Sequence, residues 1–274
     1  MITNFKRLLG QSNSCDTCSQ HIESGGAELS QQHYLITVAG NPNTGKSTLF
    51  NGLTGLKQHV GNWPGKTVMR AEGGFRYGTE NYKIVDLPGT YSLLAGSVEE
   101  EIARDFILFE DPDAVIVVMD ATAVERNLNL TLQILEITDH VVVALNLMDE
   151  ARRKGITIDH KGLSKELGVP VIPTVARTGE GIGYLMQAVS DLVEGRIQTN
   201  PRRIQLDHVL EEMVNELVYE IKKSFPHLKN SRWIALRLLD GDSSIYKAFE
   251  TGEIEDLFKK VHPYDLKSTA ENPA

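Results

Sequence analysis

The sequence has 274 residues, with 28 Lys or Arg against 37 Asp or Glu and a formal net charge of −9. This acidic balance argues against nonspecific attraction to nucleic acid or anionic lipid. No apolar run approaches the roughly 20 residues that a membrane span needs, and the first residues lack the apolar core of a secretion signal. Composition therefore predicts a soluble, cytoplasmic protein.

Residues 1–32 form a polar segment that we expect to be a disordered N-terminal extension. It holds the two cysteines of the chain, Cys15 and Cys18, spaced C-x-x-C. A metal or redox role is one interpretation, with His21 and His33 as conceivable further ligands. A single C-x-x-C without a second pair is a weak signal, so two thiols on a flexible tail is the favoured interpretation.

The run Gly40-Asn-Pro-Asn-Thr-Gly-Lys-Ser47 matches the phosphate-loop pattern G-x-x-x-x-G-K-[ST]. It follows a predicted strand over 34–39 and opens a predicted helix over 46–54, which is the context that the pattern requires. Main-chain N–H groups of such a loop surround phosphates, and the helix N-terminus adds positive potential. The predicted nucleotide-binding residues here are Gly40, Asn41, Asn43, Thr44, Gly45, Lys46, Ser47 and Thr48, with Ser47 also holding Mg²⁺.

Two strands over 68–76 and 81–86 are separated by glycine-rich punctuation, which predicts an antiparallel edge of the sheet. The second ends in Asp86-Leu-Pro-Gly89, which matches D-x-x-G of GTPases. We expect Asp86 to hold Mg²⁺ and Gly89 to donate its N–H to a γ-phosphate. Thr67, in the loop 60–67, is the candidate for a second hydroxyl ligand of Mg²⁺.

Further strands over 113–119, 140–146 and 170–173 alternate with helices over 98–109, 125–138, 159–168 and 181–194. The continuous apolar strands are typical of a parallel sheet covered on both faces. The pattern predicts an α/β fold over 33–196, a Ras-like phosphate-loop GTPase domain whose mostly parallel sheet has one antiparallel edge.

Asn146-Leu-Met-Asp149 follows an apolar strand and matches N-x-x-D. The Asp149 carboxylate can accept both hydrogens of the guanine N1 and N2 edge, which adenine lacks, whereas the alternative role for Asp149 is a helix N-cap. Leu147 stands where many GTPases have a lysine that packs along the base. The loop 173–179 should close over the base through Val175, Ala176 and Arg177, with the Ala176 N–H donating to guanine O6.

The residues for hydrolysis depart from the Ras pattern, because Thr90 stands where those enzymes place the glutamine that orients water. Asn43 is a candidate to hold a monovalent cation against the phosphates, and its alternative role is an Asx turn within the loop. The predicted catalytic residues are Lys46, Asn43, Thr67 and Gly89.

Residues 197–267 are predicted to form a small all-helical domain after a linker at 198–203, with a polar tail over 268–274. The domain begins with apolar residues spaced three and four positions apart, which predicts a helix with one apolar face. Further helices are expected over 231–239 and 245–261. Because small domains need their apolar residues buried, we expect this face to be core. Its members are Leu206, Leu210, Met213, Leu217 and Ile221.

With these motifs assembled, the chain resembles, from about 34 to 262, the N-terminal cytosolic portion of the FeoB-type ferrous iron transporters. The resemblance rests on the phosphate loop, the D-x-x-G and N-x-x-D motifs and the runs 59–67, 125–132 and 232–242. It implies a G domain, a helical domain likened to a nucleotide-dissociation inhibitor and a C-terminal membrane permease. It also implies potassium-stimulated hydrolysis through Asn43, with the loop containing Trp63 helping to enclose the cation.

The resulting expectation is a GTPase that gates ferrous iron uptake, working with Mg²⁺ and K⁺ at the cytosolic face of the inner membrane. Its expected partner is a transmembrane iron permease, with a homo-oligomer as a further possibility and no nucleic acid. An RNA-associated GTPase is the alternative, but residues 201–274 hold 11 Lys or Arg against 13 Asp or Glu, where that class needs a basic module. A third interpretation is a binding module whose helical domain grips a partner in one nucleotide state.

Overall fold

A computed structural model describes residues 33–55, 58–94, 96–226, 228 and 230–251. The predictions for Cys15, Cys18, His21 and the tail after residue 251 lie outside this part. The strands are β1 His33–Gly40, β2 Gln58–Asn62, β3 Met69–Tyr77, β4 Glu80–Asp86, β5 Ala114–Asp120, β6 Val141–Asn146 and β7 Val171–Pro173. The helices are α1 Lys46–Thr54, α2 Val98–Phe109, α3 Val124–Ile137, α4 Met148–Arg153, α5 His160–Leu167, α6 Ile182–Val193, α7 His208–Ser224, α8 Ser231–Leu239 and α9 Ser243–Thr251.

The strands form one sheet in the order β2-β3-β4-β1-β5-β6-β7. The pairs from β4 through β1, β5 and β6 to β7 are parallel, whereas β2–β3 and β3–β4 are antiparallel. This confirms the predicted α/β sheet with one antiparallel edge. The parallel strands place their carboxyl ends at one edge of the sheet, where ligand loops of such folds lie.

The prediction that residues 60–67 form a loop is wrong for its first part, because β2 extends to Asn62 and pairs with β3. Val60 is exposed and Gly61 has no side chain, so the segment lacks the apolar alternation that marks a half-buried strand. Main-chain hydrogen bonds to β3 form this edge strand instead. Only the turn from Trp63 to Val68 remains irregular.

The central strands are apolar along their whole length because both faces of the sheet are covered. Val115 and Val117 of β5 pack with α2 and α3, whereas Ile116 and Val118 pack on the opposite face with α1 and α6. Successive side chains of a strand point to opposite faces, so each residue of β5 is buried on one side or the other. The sheet therefore forms a rigid support for the loops at its edge.

The helices α7, α8 and α9 pack together, and their buried residues join the core on the α2–α3 side of the sheet. The expectation that the whole apolar face of α7 is core is wrong in part, since Leu210 is 42% and Met213 is 45% exposed. Ile221 of that face is buried as predicted, Leu206 and Leu217 are partly buried against the core, and Val214, which was not predicted, is buried two turns before Ile221. This buried stripe is enough to seat α7 on Trp233 and its neighbours.

Among the described residues, two hydrogen bonds attach the helical domain to α2. The Arg104 guanidinium donates to Ser244 Oγ over 2.8 Å, and Asn230 Nδ2 donates to the Leu108 carbonyl over 3.1 Å. Arg104 is buried and also pairs with Asp105, the pKa of which is raised by burial despite this pairing. The helical domain therefore rests on the helix that follows the D-x-x-G segment.

Within the described ranges, none of the helices combines the length and the apolar character needed to cross a bilayer.

A nucleotide site at the carboxyl edge of the sheet

The phosphate loop connects β1 to α1, and Lys46 is the first residue of that helix. The Thr44 hydroxyl donates to the Asn41 carbonyl over 2.9 Å and closes the loop on itself. Asn43 at φ 67° and Gly45 at φ 85° both adopt the left-handed region. The loop thus has the turned backbone that directs main-chain N–H groups to an anion.

Position 45 requires a glycine for two reasons: its backbone has a positive φ, and the side chain of Asn146 lies very close to it. A Cβ at this position would lie 2.3 Å from Asn146 Nδ2. Asn146 is buried, and its Nδ2 donates to the Thr44 carbonyl over 2.8 Å. The N-x-x-D asparagine therefore holds the phosphate loop from the end of β6.

Gly45→Ala is expected to reduce nucleotide affinity at least tenfold and to lower the melting temperature, because the methyl group displaces Asn146. Gly55→Ala is the matched control, since Gly55 also has a positive φ of 62° but no atom lies within 4 Å of its Cβ position. Both variants place an alanine at a positive φ, which costs about 1–3 kcal/mol. Calorimetric titration with GDP and thermal unfolding measure the difference, and equal losses in both variants would contradict the role of the Asn146 contact.

Lys46 and Asp86 form an ion pair with Nζ 2.5 Å from Oδ1, and both side chains are nearly buried. Burial raises the pKa of Asp86 from its usual value of 3.8, while the Lys46 charge and a hydrogen bond from Ser47 oppose the rise. Lys46, which is expected to bind phosphate, and Asp86, which is expected to bind Mg²⁺, are therefore adjacent and neutralise each other's charge in this structure.

The donor set for Mg²⁺ is partly assembled. The Ser47 hydroxyl and the Asp86 carboxylate are in contact, and hard oxygen donors of this kind are those that Mg²⁺ prefers. Thr67 is exposed in the turn between β2 and β3 and, within the part of the chain described, makes no hydrogen bond to Ser47 or Asp86. The oxygen donors at Ser47 and Asp86 fit the ion, whereas Thr67 is not joined to them here.

The turn that carries Thr67 is held on α2 by Trp63. The Trp63 ring is buried, meets the Phe106 ring edge-on at a centroid distance of 5.6 Å, and lies 4.6 Å below the Arg70 guanidinium. Lys66 adds an exposed ion pair with Glu101. The loop expected to enclose a cation through Trp63 is therefore packed on α2 in this structure.

Gly89 lies beside the phosphate loop. A Cβ on Gly89 would be 3.3 Å from Pro42 Cα, and the N–H of Thr90 donates to the Gly40 carbonyl over 3.4 Å. The Thr90 side chain is buried, so it does not take the solvent-facing place of a water-orienting glutamine. The D-x-x-G segment is thus adjacent to the loop that the sequence predicts it to serve.

Asp149 is the second residue of α4, whose N-cap is Leu147 at φ 63°, so the N-cap role for Asp149 is wrong. Its Oδ2 pairs with Arg177 at 3.1 Å, whereas its buried Oδ1 has no hydrogen-bond partner among the described residues. Desolvation acts to raise the pKa of Asp149, but the Arg177 hydrogen bond, the nearby main-chain N–H groups of Glu150 and Asp149 and the Arg177 charge lower it overall. An ionised carboxylate with an unpaired buried oxygen fits a ligand with two adjacent N–H donors, such as guanine.

The loop 173–179 is joined to this site through Asn146. Its Oδ1 accepts the Ala176 N–H over 2.9 Å and the Thr174 hydroxyl over 3.3 Å. In this structure the Ala176 N–H donates to Asn146, and its donation to guanine O6 stays a prediction. Val175 is buried and Arg177 is exposed over Asp149.

Sequence reasoning missed one set of contacts, in which α3 holds the segment after Gly89. Asn129 Nδ2 donates to the Tyr91 carbonyl over 3.2 Å, and Gln133 Oε1 accepts the Leu93 N–H over 2.6 Å. The Arg126 guanidinium lies 4.6 Å from the Tyr91 ring and donates to its hydroxyl. We call Arg126, Asn129 and Gln133 the α3 ladder. Their spacing along one helix face was the available signal.

Asn41 links the ladder to the phosphate loop. Its Nδ2 donates to the Arg126 carbonyl over 3.4 Å, and its buried Oδ1 is without a hydrogen-bond partner in the ranges described. The side chain of Asn41 is thus directed to α3, which leaves its main chain for the predicted phosphate contact. Thr48 is exposed in the first turn of α1.

A phosphate loop at the end of β1, a D-x-x-G segment beside it and an N-x-x-D motif joined to the phosphate loop by Asn146 define a P-loop GTPase. The family profile described as "Ferrous iron transport protein B" matches residues 34–189, and a second, "FeoB cytosolic helical domain", matches residues 207–268. The chain belongs to the ferrous iron transport protein B family. These matches favour the iron-transport expectation over the RNA-associated alternative.

Among curated relatives, the Fe(2+) transporter FeoB of Escherichia coli (strain K12) is 44% identical over 224 residues, which cover 80% of this chain and 28% of that protein. The chain spans about a quarter of the length of the curated relatives it matches. The cytosolic domain of L. pneumophila FeoB is similar in structure, with TM-score 0.71, 38% identity and coverage of 85% of this chain and 90% of that one.

The cytosolic domain of the T. maritima FeoB iron transporter, solved in a GDP form, has TM-score 0.71 and 38% identity over 79% of this chain and 84% of that one. The similarity to both structures extends beyond the G domain. The two-part architecture of a G domain and a helical domain is therefore that of the family.

Proposed function

We propose that this chain binds GTP with Mg²⁺, hydrolyses it to GDP and phosphate, and regulates ferrous iron transport from the cytosolic side of the membrane. The observation that carries the proposal is Asn146, which joins the phosphate loop to the base-binding loop with Asp149 one turn away. A pocket assembled in this way selects the base and the phosphates of one nucleotide together. Binding of GDP but not ADP, measured by calorimetry with Mg²⁺, is the direct test.

Lys46 is the residue that would exchange partners on binding. In this structure its ammonium neutralises Asp86, and a β- or γ-phosphate offers it a stronger anionic partner. Asp86 and Ser47 would then hold Mg²⁺, which supplies charge neutralisation for phosphoryl transfer. Thr67 would join them only after the turn carrying Trp63 leaves α2, so we propose that this turn moves with nucleotide state.

Potassium stimulation through Asn43 is the proposed substitute for a water-orienting glutamine and an arginine finger. Asn43 is exposed in the phosphate loop, and its amide oxygen is a suitable ligand for a monovalent cation. A cation at this place would add positive charge where charge accumulates during phosphoryl transfer. Basal turnover is therefore expected to be slow, and faster in potassium than in sodium.

Asn43→Gly is expected to abolish the difference between potassium and sodium while preserving GDP affinity. Glycine accepts the left-handed backbone of this position at φ 67°, so the variant removes the amide without the strain of Asn43→Ala. Single-turnover hydrolysis in each salt measures the effect, with Asn51→Gly as an exposed control on α1. Undiminished potassium stimulation in Asn43→Gly would contradict the cation role.

The transport role follows from the family and from the relatives, which are named as Fe(2+) transporters. We propose that the partner of this chain is a transmembrane iron permease, in the same polypeptide or in a complex, and that the domain boundary lies near residue 197. The bonds from Arg104 and Asn230 support a path by which α2 passes nucleotide state to the helical domain. Iron uptake by cells carrying Asp149→Asn in the natural gene tests this role, since uptake independent of the base contact would contradict it.

A further inference from the structure

The side chains of the α3 ladder contact the segment 91–93 mainly at the main-chain groups of that segment. Asn129 binds the Tyr91 carbonyl, Gln133 binds the Leu93 N–H, and Gln133 Nε2 donates to Asn129 Oδ1 over 3.2 Å. The Ser92 hydroxyl also donates to Gln133 Oε1 over 3.2 Å. Because these hydrogen bonds are made to main-chain groups, they fix the path of the segment 91–93 without depending on its side chains.

The segment is also held at its other end. Gly89 packs on Pro42, and Thr90 bonds to the Gly40 carbonyl, so the chain between β4 and Leu93 is fixed on the phosphate loop and on α3 together. Asn41 closes the arrangement by bonding from the phosphate loop to the Arg126 carbonyl. Gly89, whose N–H is the expected donor to a γ-phosphate, directly precedes these two attachments in the chain.

We propose that the α3 ladder is a positioning device that keeps Gly89 beside the phosphate loop and so makes the site favour a nucleotide with a γ-phosphate. The inference rests on the proposed GTPase function and gives a role to Arg126 and Asn129 of the run 125–132 and to Gln133, which follows it. Ordering the segment before the ligand arrives removes an entropic cost from triphosphate binding. A diphosphate has no γ-phosphate to accept the Gly89 N–H, so its binding does not require the segment to be ordered.

Gln133→Leu removes the shared acceptor at similar side-chain size. We expect a GTP analogue with an imido bridge between its β- and γ-phosphates to bind about tenfold more weakly, as befits the loss of one well-made hydrogen bond. GDP affinity should stay within about twofold, since the ladder reaches neither the base nor the β-phosphate. Calorimetry with Mg²⁺ on the full chain measures both.

Gln133→Glu is the rescue variant, because it keeps an oxygen for the Leu93 N–H and the Ser92 hydroxyl, and it should recover most of the analogue affinity. Gln187→Leu is the matched control, since Gln187 bonds to Asp191 within its own helix α6 and to the Tyr77 hydroxyl of β3, neither of which belongs to the α3 ladder or to the segment 91–93. Equal losses for GDP and analogue in Gln133→Leu, no loss for either, or no recovery in Gln133→Glu would each overturn the positioning role. A wild-type chain that binds neither nucleotide would instead contradict the proposed function.

Discussion

Asp149→Asn is expected to weaken GDP and GTP binding by about 10⁴-fold and to transfer preference to xanthosine nucleotides. The carboxylate offers two acceptors to the guanine N1 and N2 edge, and its Oδ1 is enclosed without a partner in the described structure. An asparagine presents an N–H in place of one acceptor, which suits the carbonyl that xanthine has at C2. Competition between GDP and XDP in a calorimetric titration measures the change.

Folding should be little affected by that substitution. Arg177 is largely exposed, and an exposed ion pair of this kind contributes about 0–1 kcal/mol. Asp240→Asn is the matched control, because Asp240 also pairs with an arginine on a helix but lies in the helical domain. If Asp149→Asn kept its guanine preference, Asp149 would have no part in base recognition.

Lys46→Met is expected to reduce nucleotide affinity by roughly 100-fold, because a charge-assisted hydrogen bond to phosphate contributes about 1.5–3 kcal/mol. It should also destabilise the nucleotide-free protein by about 3 kcal/mol at neutral pH, since Asp86 is left as a buried and unpaired charge. Urea unfolding without nucleotide measures the second effect. Adding Asp86→Asn to this variant should restore stability without restoring nucleotide binding.

The loss of folding stability in Lys46→Met should depend on pH in a definite direction. Burial already raises the pKa of Asp86 in the folded protein, and removal of the Lys46 charge raises it further. A folded-state pKa above the unfolded value makes the folded state bind the extra proton, so stability falls as pH rises through that interval. The deficit of Lys46→Met should therefore be largest at neutral pH and shrink on acidification. A deficit that grows on acidification would contradict the buried-carboxylate explanation.

The central sheet was predictable because its strands carry their own signal. β5 and β6 are unbroken apolar runs, and those occur where a parallel strand is covered on both faces. The antiparallel edge followed from the glycines near residues 73–78, whereas the order of the strands came only from the structure. The edge strand β2 was not predictable, since neighbouring main-chain groups on β3 form it, and its own side chains give no pattern.

The helical domain shows the same limit. The spacing of Leu210, Met213 and Leu217 is that of a helix face, and α7 is a helix over these residues, whereas Leu206 precedes it. Which part of the face is buried depends on where Trp233 and the α2–α3 side of the core lie, and periodicity does not contain that information. Val214 and Ile221 were therefore the buried positions, while Leu210 and Met213 stayed exposed.

The sequence by itself determined the motifs and the order of the site, because a phosphate loop, D-x-x-G and N-x-x-D each encode their local backbone and donor groups. Only the tertiary structure decided which groups meet. It paired Lys46 with Asp86, gave the Ala176 N–H to Asn146, and set the α3 ladder on the segment after Gly89. These contacts join residues about 30 to 40 positions apart, where the distance between them is fixed by strand register and helix packing and by no local pattern.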